Sequence, residues 1–466
     1  FINMDQTEIP TLLDLAIQNL MVNEPVLIHA LEEIPRELFI PLFIAAFSGE
    51  RKNILKAIVS TWPFRCLHVG TLRVQEPHCE VLEAMIDGLQ ILPVQNSSTR
   101  APKLRVLDLR QDADCRTTCT DISSKFPFCF QSCIYSQQSI LKIQEACNNI
   151  ANSESQPQSS RKPMELFVDL YFDGTLRSRK FLSVLLNKVE QSFGSLHLCC
   201  RDLQISKTSD YKSTLKFLDL VCTDHLGIDQ AYLSEVSTLL AQMIHLDSLS
   251  LSRIIFRSCK GKNFRNFLTH LGQMDNLEEL SLSFFSIRDQ LNKLLRVLPP
   301  ELDFLYLTFC ELSHKDFISL SQSLQANHLK LLNLSNTQIS WEYSEPFVTL
   351  LENLSGTLQH LEIDSCLITD STLSAVIPTL SRCSHLRVLS FASNPITMPV
   401  LKHLLQQLTP LMELKYVIYP VPVHCYEQWN SHDTLNQQKL AEVKAQLKGM
   451  LQAAQREDMN WTMCSE

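Results

Sequence analysis

A pattern of the form LxxLxLxx(N/C)x(L/I) recurs along the chain, and no other feature narrows the fold so far. Three copies are complete: Leu302, Leu305, Leu307, Cys310 and Leu312, then Leu358, Leu361, Ile363, Cys366 and Ile368, then Leu386, Leu389, Phe391, Asn394 and Ile396. Weaker copies begin at Phe193, Leu215, Leu246, Leu277, Leu329 and Leu411, so successive copies step by 22 to 31 residues, the period of long leucine-rich repeats. The spacing has a physical meaning. LxLxx is a short strand whose alternate residues point into a core, and the Asn or Cys at the ninth position sits where the chain turns and caps backbone groups inside the coil. Between strands, Phe317, Leu320 and Leu324, or Leu373, Val376, Ile377 and Leu380, have the spacing of a half-buried helix. Each repeat is strand plus helix, and because no unit buries its apolar face alone, the copies must stack. The predicted fold is α/β: a leucine-rich-repeat solenoid, a ribonuclease-inhibitor-like horseshoe with a parallel sheet on the concave side and helices outside. Such a surface binds other macromolecules.

The ends of the array differ from its middle. An earlier strand-like copy, Leu104, Leu107 and Leu109, is separated from the main array by a stretch at about 112–163 rich in Ser, Gln, Asn and Cys, whose later half, Asn148 to Lys162, has the composition of a flexible loop. It reads as an insertion between early repeats. Leu440, Val443, Leu447, Leu451 and Ala454 form a stripe on one helix suited to closing the open core edge. Before Leu104 the repeat pattern is absent and the chain reads as short helices. Thr11 with Asp14 three residues on makes a capping box, followed by Leu13, Ala16, Ile17 and Leu20 on one face. Asn23 and Pro25 start a second helix with Val26, Leu27, Ala30 and Leu31 inside, and Ile34-Pro35 interrupts it. Leu38, Phe39, Leu42, Phe43 and Phe47 follow, then Ile54, Leu55, Ile58 and Val59 ahead of Trp62-Pro63-Phe64. The predicted division is a helical module over 1–95, the repeats over 96–425, and a cap helix over 426–466. The first methionine is Met4, so either residues precede Phe1 or the natural start lies there.

Composition removes whole classes of function. Only ten glycines occur in 466 residues, and the closest two, Gly261 and Gly272, stand eleven positions apart. GxGxxG, GxxxxGK[ST] and GxSxG all need closely spaced glycines to bring N–H groups onto a phosphate or to expose a nucleophile, so none exists here. No His is followed by Glu, which removes HExxH, and no Ser/His/Asp or Cys/His set can be assembled; the expectation is a protein without catalysis, cofactor or metal. The net charge of −9 with no long Lys/Arg run argues against direct nucleic-acid binding. The apolar stretch Leu38 to Phe47 is ten residues and holds Pro41, against about 20 for a membrane span, and no secretory signal opens the chain, so a soluble protein with reduced cysteines is expected.

Several strings carry a resemblance: EIPRELFIPLFIAAF (Glu33 to Phe47), TWPF (Thr61 to Phe64), LRVLDLR (Leu104 to Arg110), LHLCCRDLQI (Leu196 to Ile205) and YPVP (Tyr419 to Pro422). In this order, over nearly the whole chain except the 112–163 stretch, the sequence resembles the PRAME family of leucine-rich-repeat proteins. The resemblance implies a substrate receptor of a cullin-2 RING ubiquitin ligase, with elongin B and elongin C as adaptors and a protein target, residence in cytoplasm and nucleus, and effects on proliferation, differentiation or apoptosis. For some members it implies repression of transcription through the retinoic acid receptor, a nuclear receptor. An elongin-binding box of the form [STPA]LxxxCxxx[AILV] aligns with Thr11, Leu12 and Leu20, with Ala16 at the Cys position, which keeps the small size and loses the thiol. A cullin-2 box ΦPxxΦxxxΦ aligns with Ile34, Pro35, Leu38 and Leu42.

Other motifs have plainer readings. LxxLL strings at Leu182–Leu186, Leu291–Leu295 and Leu401–Leu405 sit on repeat helices, whose leucines are needed for packing. Cys115, Cys119, Cys129 and Cys133 form CxxxC twice without matching a common zinc ribbon, and read as reduced thiols in a variable loop. Cys199 and Cys200 fall on a repeat strand, where alternation predicts one buried and one outward thiol.

Overall fold

The computed structural model describes residues 11–64, 66–69, 79–90, 104–110, 163–172, 174–206, 211–426 and 435–463. The predicted insertion at 112–163, and with it Cys115, Cys119, Cys129 and Cys133, lies almost wholly outside the described residues. The chain divides into two compact units, one of residues 1–204 with 208–223 and one of 205–207 with 224–466.

The first unit opens with four helices, α1 (Leu12–Val22), α2 (Glu24–Ala30), α3 (Phe39–Ser48) and α4 (Lys52–Ser60). Thr11 caps α1 as its sequence requires: the Thr11 hydroxyl accepts from the Asp14 N–H at 3.2 Å while Asp14 accepts from the Thr11 N–H at 2.8 Å. Trp62 is the pivot of the module. Fully buried, it meets Phe39, Phe43 and Phe64 edge-on at 6.2, 5.6 and 5.6 Å and donates its indole N–H to the Cys66 carbonyl at 3.0 Å. That carbonyl belongs to β1 (Cys66–His68), so the sheet begins well before Leu104, inside the stretch predicted to be purely helical. The copy there is Phe64, Leu67 and Val69, and the substitution of Phe and Val for leucine hides it.

Then follow α5 (Cys79–Gln90), β2 (Val106–Asp108), β3 (Met164–Phe172), α6 (Leu176–Gln191), β4 (Leu196–Ile205) and the short α7 (Tyr211–Leu215). Leu67, Leu107 and Leu166 stand side by side in a parallel register, all fully buried. α5 lies close on α4 because position 88 is glycine; a Cβ there would come within 2.6 Å of the Lys56 carbonyl. Lys188 of α6 reaches back to Asp87 at 2.7 Å and Glu83 at 3.1 Å.

The second unit alternates strand and helix: β5 (His225–Asp229), α8 (Leu233–Leu240), β6 (Ser248–Ser252), α9 (Lys262–Leu271), β7 (Glu279–Ser283), α10 (Leu291–Val297), β8 (Phe304–Thr308), α11 (His314–Ser321), β9 (Leu331–Asn333), α12 (Ser344–Leu354), β10 (His360–Glu362), α13 (Asp370–Leu380), β11 (Val388–Ser390), α14 (Met398–Leu408), β12 (Tyr416–Tyr419), α15 (Gln437–Ala453) and β13 (Asn460–Met463). The strands lie parallel in chain order, and their registers line up Leu249, Leu280, Leu305, Leu332, Leu361, Leu389 and Val417 in one buried row. This is the leucine-rich-repeat solenoid that the pattern predicts.

The ninth position behaves as its chemistry dictates. Asn394 donates to the carbonyls of Ile363, Phe391 and Ala392 at 2.9, 2.8 and 3.1 Å, and accepts from the N–H groups of Cys366 and Ile368, both at 3.0 Å. One side chain thereby satisfies both polarities of backbone in two repeats. At the same position, Cys366 donates to the Leu334 carbonyl at 3.2 Å, and burial lifts its thiol to about 12, so it stays a donor.

Several details depart from the sequence reading. Leu215 does not start a strand copy; the strand is β5, from a copy at Thr223, Leu226, Ile228, Ala231 and Leu233 in which Thr stands for the first leucine. The copy read at Leu411 lies three residues later, at Leu414, Val417 and Tyr419. Phe193 is 97% exposed in a left-handed turn rather than in the core. Leu324 has left α11 for the 3-10 turn that follows it and is exposed, and Val26, in the first turn of α2, faces solvent. Cys199 and Cys200 are both buried, since both faces of β4 are covered at that point. Leu440, Val443 and Leu447 of α15 are buried as a cap requires, whereas Ala454 is exposed. The chain then adds β13 at the sheet edge, clamped by Arg456, which donates to the carbonyls of Thr409, Leu411 (2.9 Å) and Leu414 (2.9 Å).

Candidate functional site

Two surfaces, one on each unit, offer groups that the fold itself does not consume. The first is α1. Ile17 points into the module and is buried, and Leu20 is half-buried, whereas Leu12 is 86% exposed and Leu15 and Ala16 lie on its side of the helix in solvent. A capped helix with leucines on its outer face is an apolar ridge without a cover among the described residues. Of the residues aligned with a cullin-2 box, Pro35 is exposed and Ile34 and Leu38 are half-buried beside the 3-10 turn Arg36–Leu38. Leu42 is 1% exposed, packed among Phe39 and Phe43 on the inner side of α3, so its contribution is to the core. Arg36 closes this turn by donating to the Pro63 carbonyl at 2.9 Å and lying over the Phe64 ring.

The second surface is the strand face of the second unit and its rim. Residues two after each inner strand leucine, namely Gln230, Arg253, Phe284, Phe309, Asn336, Ser365 and Ser393, all have positive φ between 49° and 58°. The cause is visible in the hydrogen bonds. Each of the first six turns its N–H onto a carbonyl of the following repeat, those of Ser252, Ser283, Thr308, Ser335, Asp364 and Ala392, so the ladder continues past the strand ends. Left-handed backbone costs an L-residue roughly 1–2 kcal/mol, and bulky residues are rare there. Phe284 and Phe309 nonetheless occupy it in adjacent repeats, 51% and 43% exposed, with rings stacked at 4.2 Å. Beside them, Arg253 forms a two-pronged pair with Asp229. Across the sheet, the outward positions are polar and aromatic: Tyr306, Asn333 and Glu362 share a row, and His360 meets Glu362 at 2.6 Å. This is a surface for recognising a macromolecule, with an aromatic anchor held rigidly at its rim. The sequence gives no sign of that anchor, because the two phenylalanines fall on positions that the repeat pattern leaves as x.

The LxxLL strings are where packing needs them: Leu291, Leu294, Leu295, Leu401, Leu404 and Leu405 are buried, and Leu182 and Leu186 half-buried. The structure also gathers side chains that the sequence scattered. In the first unit, His197 stands between Glu165, 2.6 Å from its Nδ1, and Asp219, 3.1 Å from its Nε2, and Cys222 and Cys199 adjoin them. The two carboxylates, Asp219 foremost, push the imidazole up to about 10, and the same bond lowers Asp219. Among the described residues no helix is long and apolar enough to cross a membrane.

Comparison with known proteins agrees over both units. Residues 9–115 match the PRAME N-terminal domain and residues 164–463 the PRAME C-terminal domain. The chain is similar to human PRAME family member 8, 33% identical over 95% of this chain and 92% of that one. It is similar to mouse leucine-rich repeat-containing protein 14, 32% identical over 97% of both chains.

Proposed function

The chain belongs to the PRAME family of leucine-rich-repeat proteins, and from that footing we propose that it is a non-catalytic substrate receptor of a cullin-2 RING ubiquitin ligase. Its repeat surface holds a protein target, and its first helices dock elongin C, with elongin B, and cullin-2. The observation that carries the reading is the exposed ridge of α1, where Leu12, Leu15 and Ala16 face solvent while Ile17 is buried and Leu20 half-buried. Docking Leu12 into an apolar pocket is worth about 1.5–3 kcal/mol, and the small Ala16 permits close approach. With Leu42 in the core, cullin-2 is met by Ile34, Pro35 and Leu38. The receptor supplies effective concentration: a target held beside the loaded conjugating enzyme reacts as if intramolecularly, and no acid, base or nucleophile is asked of this chain.

Co-purification from cells tests the reading. Leu12→Asp, which leaves the core untouched, is expected to lose elongin C while the repeats stay folded, and target abundance is expected to rise on deleting residues 1–64 and on proteasome inhibition alike. Unchanged elongin recovery removes the box assignment, and target abundance that responds to neither the deletion nor proteasome inhibition leaves a binding scaffold, such as a transcriptional corepressor, acting through the repeat surface alone.

A further inference from the structure

We propose that His197, Asp219 and Cys222 form a zinc-binding site in the first unit, with the fourth position of the tetrahedron open to water. His197 and Cys199 are two apart on β4 and therefore share a face, while Asp219 and Cys222 bracket the 3-10 turn Leu220–Cys222 that follows α7. One ligand atom from each of His197, Asp219 and Cys222 falls within 4.8 Å of the others. The individual separations are 3.1 Å from His197 Nε2 to Asp219 Oδ2 and 3.7 Å from Asp219 Oδ2 to Cys222 Sγ. Bonds of 2.0–2.3 Å in a tetrahedral zinc centre place ligand atoms about 3.3–3.8 Å apart, so the group needs only small adjustments to close on an ion. Cys199, fully buried, lies in the same core cluster as Cys222.

The surroundings supply what zinc sites require beyond the ligands. Glu165 on β3 holds Nδ1 of His197 at 2.6 Å, which leaves Nε2 to face Asp219 and Cys222; this is the carboxylate–histidine arrangement that fixes the tautomer of a metal-bound imidazole. Nitrogen, oxygen and sulfur donors together suit zinc and disfavour magnesium or calcium. Without metal, a proton shared by His197 with two carboxylates fills the same space. Binding of Zn²⁺ displaces the proton from Nε2 and the proton from the Cys222 thiol, and Nδ1–H stays on Glu165, so charge and protons balance. The ion would tie β3 and β4 to the turn after α7.

The full chain, stripped with a chelator, is titrated with Zn²⁺ against a chromophoric competitor and separately with Co²⁺, whose thiolate charge-transfer absorption reports a sulfur ligand. One equivalent tighter than micromolar is expected, and it must survive conversion of Cys115, Cys119, Cys129 and Cys133 to serine. Cys222→Ser is expected to lose the cobalt absorption. Asp219→Asn, which keeps the oxygen that accepts from the Val221 N–H at 3.1 Å and so preserves the turn, is expected to bind at least tenfold more weakly while the metal-free chain, somewhat less stable without the charged bond to His197, stays folded. Glu165→Gln is expected to lose about 10–100-fold, as loss of an outer carboxylate does. No equivalent bound by the wild-type chain, binding that vanishes in the four-serine variant, or equal affinity in Asp219→Asn overturns the proposal.

Discussion

Replacing Asn394 puts a number on what one internal side chain contributes to the repeat. The residue is 3% exposed, and its oxygen is the side-chain acceptor for the N–H groups of Cys366 and Ile368 while its amide serves three carbonyls with two hydrogens. Asn394→Ala strands two buried donors at about 1–3 kcal/mol each, and the space vacated is polar enough to admit a water that restores part of this, so a cost of about 2–5 kcal/mol is expected. Asn394→Cys imitates Cys366 and Cys310: a thiol still donates to carbonyls but accepts poorly, so the cost should be intermediate, about 1–3 kcal/mol. Equilibrium unfolding in guanidinium gives the total. Hydrogen exchange gives the location, because the Cys366 and Ile368 amides should lose protection before their neighbours do. If Asn394→Ala unfolds within 0.5 kcal/mol of the natural protein and those two amides exchange as before, the internal cap is decoration and the account of the ninth position fails.

Three further outcomes are expected. Changing Phe284 and Phe309 together to glycine relieves left-handed strain of about 1 kcal/mol per site and forfeits a stacking pair worth about 0.5–1.5 kcal/mol, so melting should scarcely move while proteins captured by the repeat surface fall away; a large drop in melting temperature would show the pair to be structural. Asp169 is pushed up to about 6, chiefly by burial and by Asp202 and Asp108, against the pull of Arg110. Its native state holds the proton longer than the unfolded chain does, so stability falls as pH rises from about 4 to about 6 and stays lower above; Asp169→Asn should flatten that fall and stabilise the protein at pH 7, and a variant with an unchanged pH profile of unfolding contradicts this. Arg456→Lys keeps the charge but cannot fork to three carbonyls, so a loss of about 2–4 kcal/mol and early proteolysis at the C-terminal strand are expected, measured by limited digestion against intact mass.

Legibility in the sequence followed the strength of the physical constraint. Where Leu, Leu and Leu held the inner row, as at Leu302, Leu305 and Leu307, strand and register were readable, because only burial explains that spacing. Where Thr223 or Phe64 took the first position, the same geometry went unread, since a hydroxyl or a ring fills the slot as well as a leucine while breaking the pattern. The capping box of α1 is visible because both its bonds are local, whereas the buried Leu42 aligns with a cullin-2 box because a box aligned on letters carries no information on which side of a helix is covered. The cluster at His197, Asp219, Cys222 and Glu165 draws on residues from 165 to 222, and nothing in one dimension announces that two strands and a turn converge there.

The turn residues at Gln230, Arg253, Phe284, Phe309, Asn336, Ser365 and Ser393 have one further implication. Their backbone is dictated by neighbouring coils, yet none of their side chains is buried, so a residue that tolerates the left-handed turn can be exchanged there without disturbing the core. Relatives sharing this scaffold can therefore diverge in clientele by drifting along a single file of evenly spaced letters, leaving the hydrophobic interior alone.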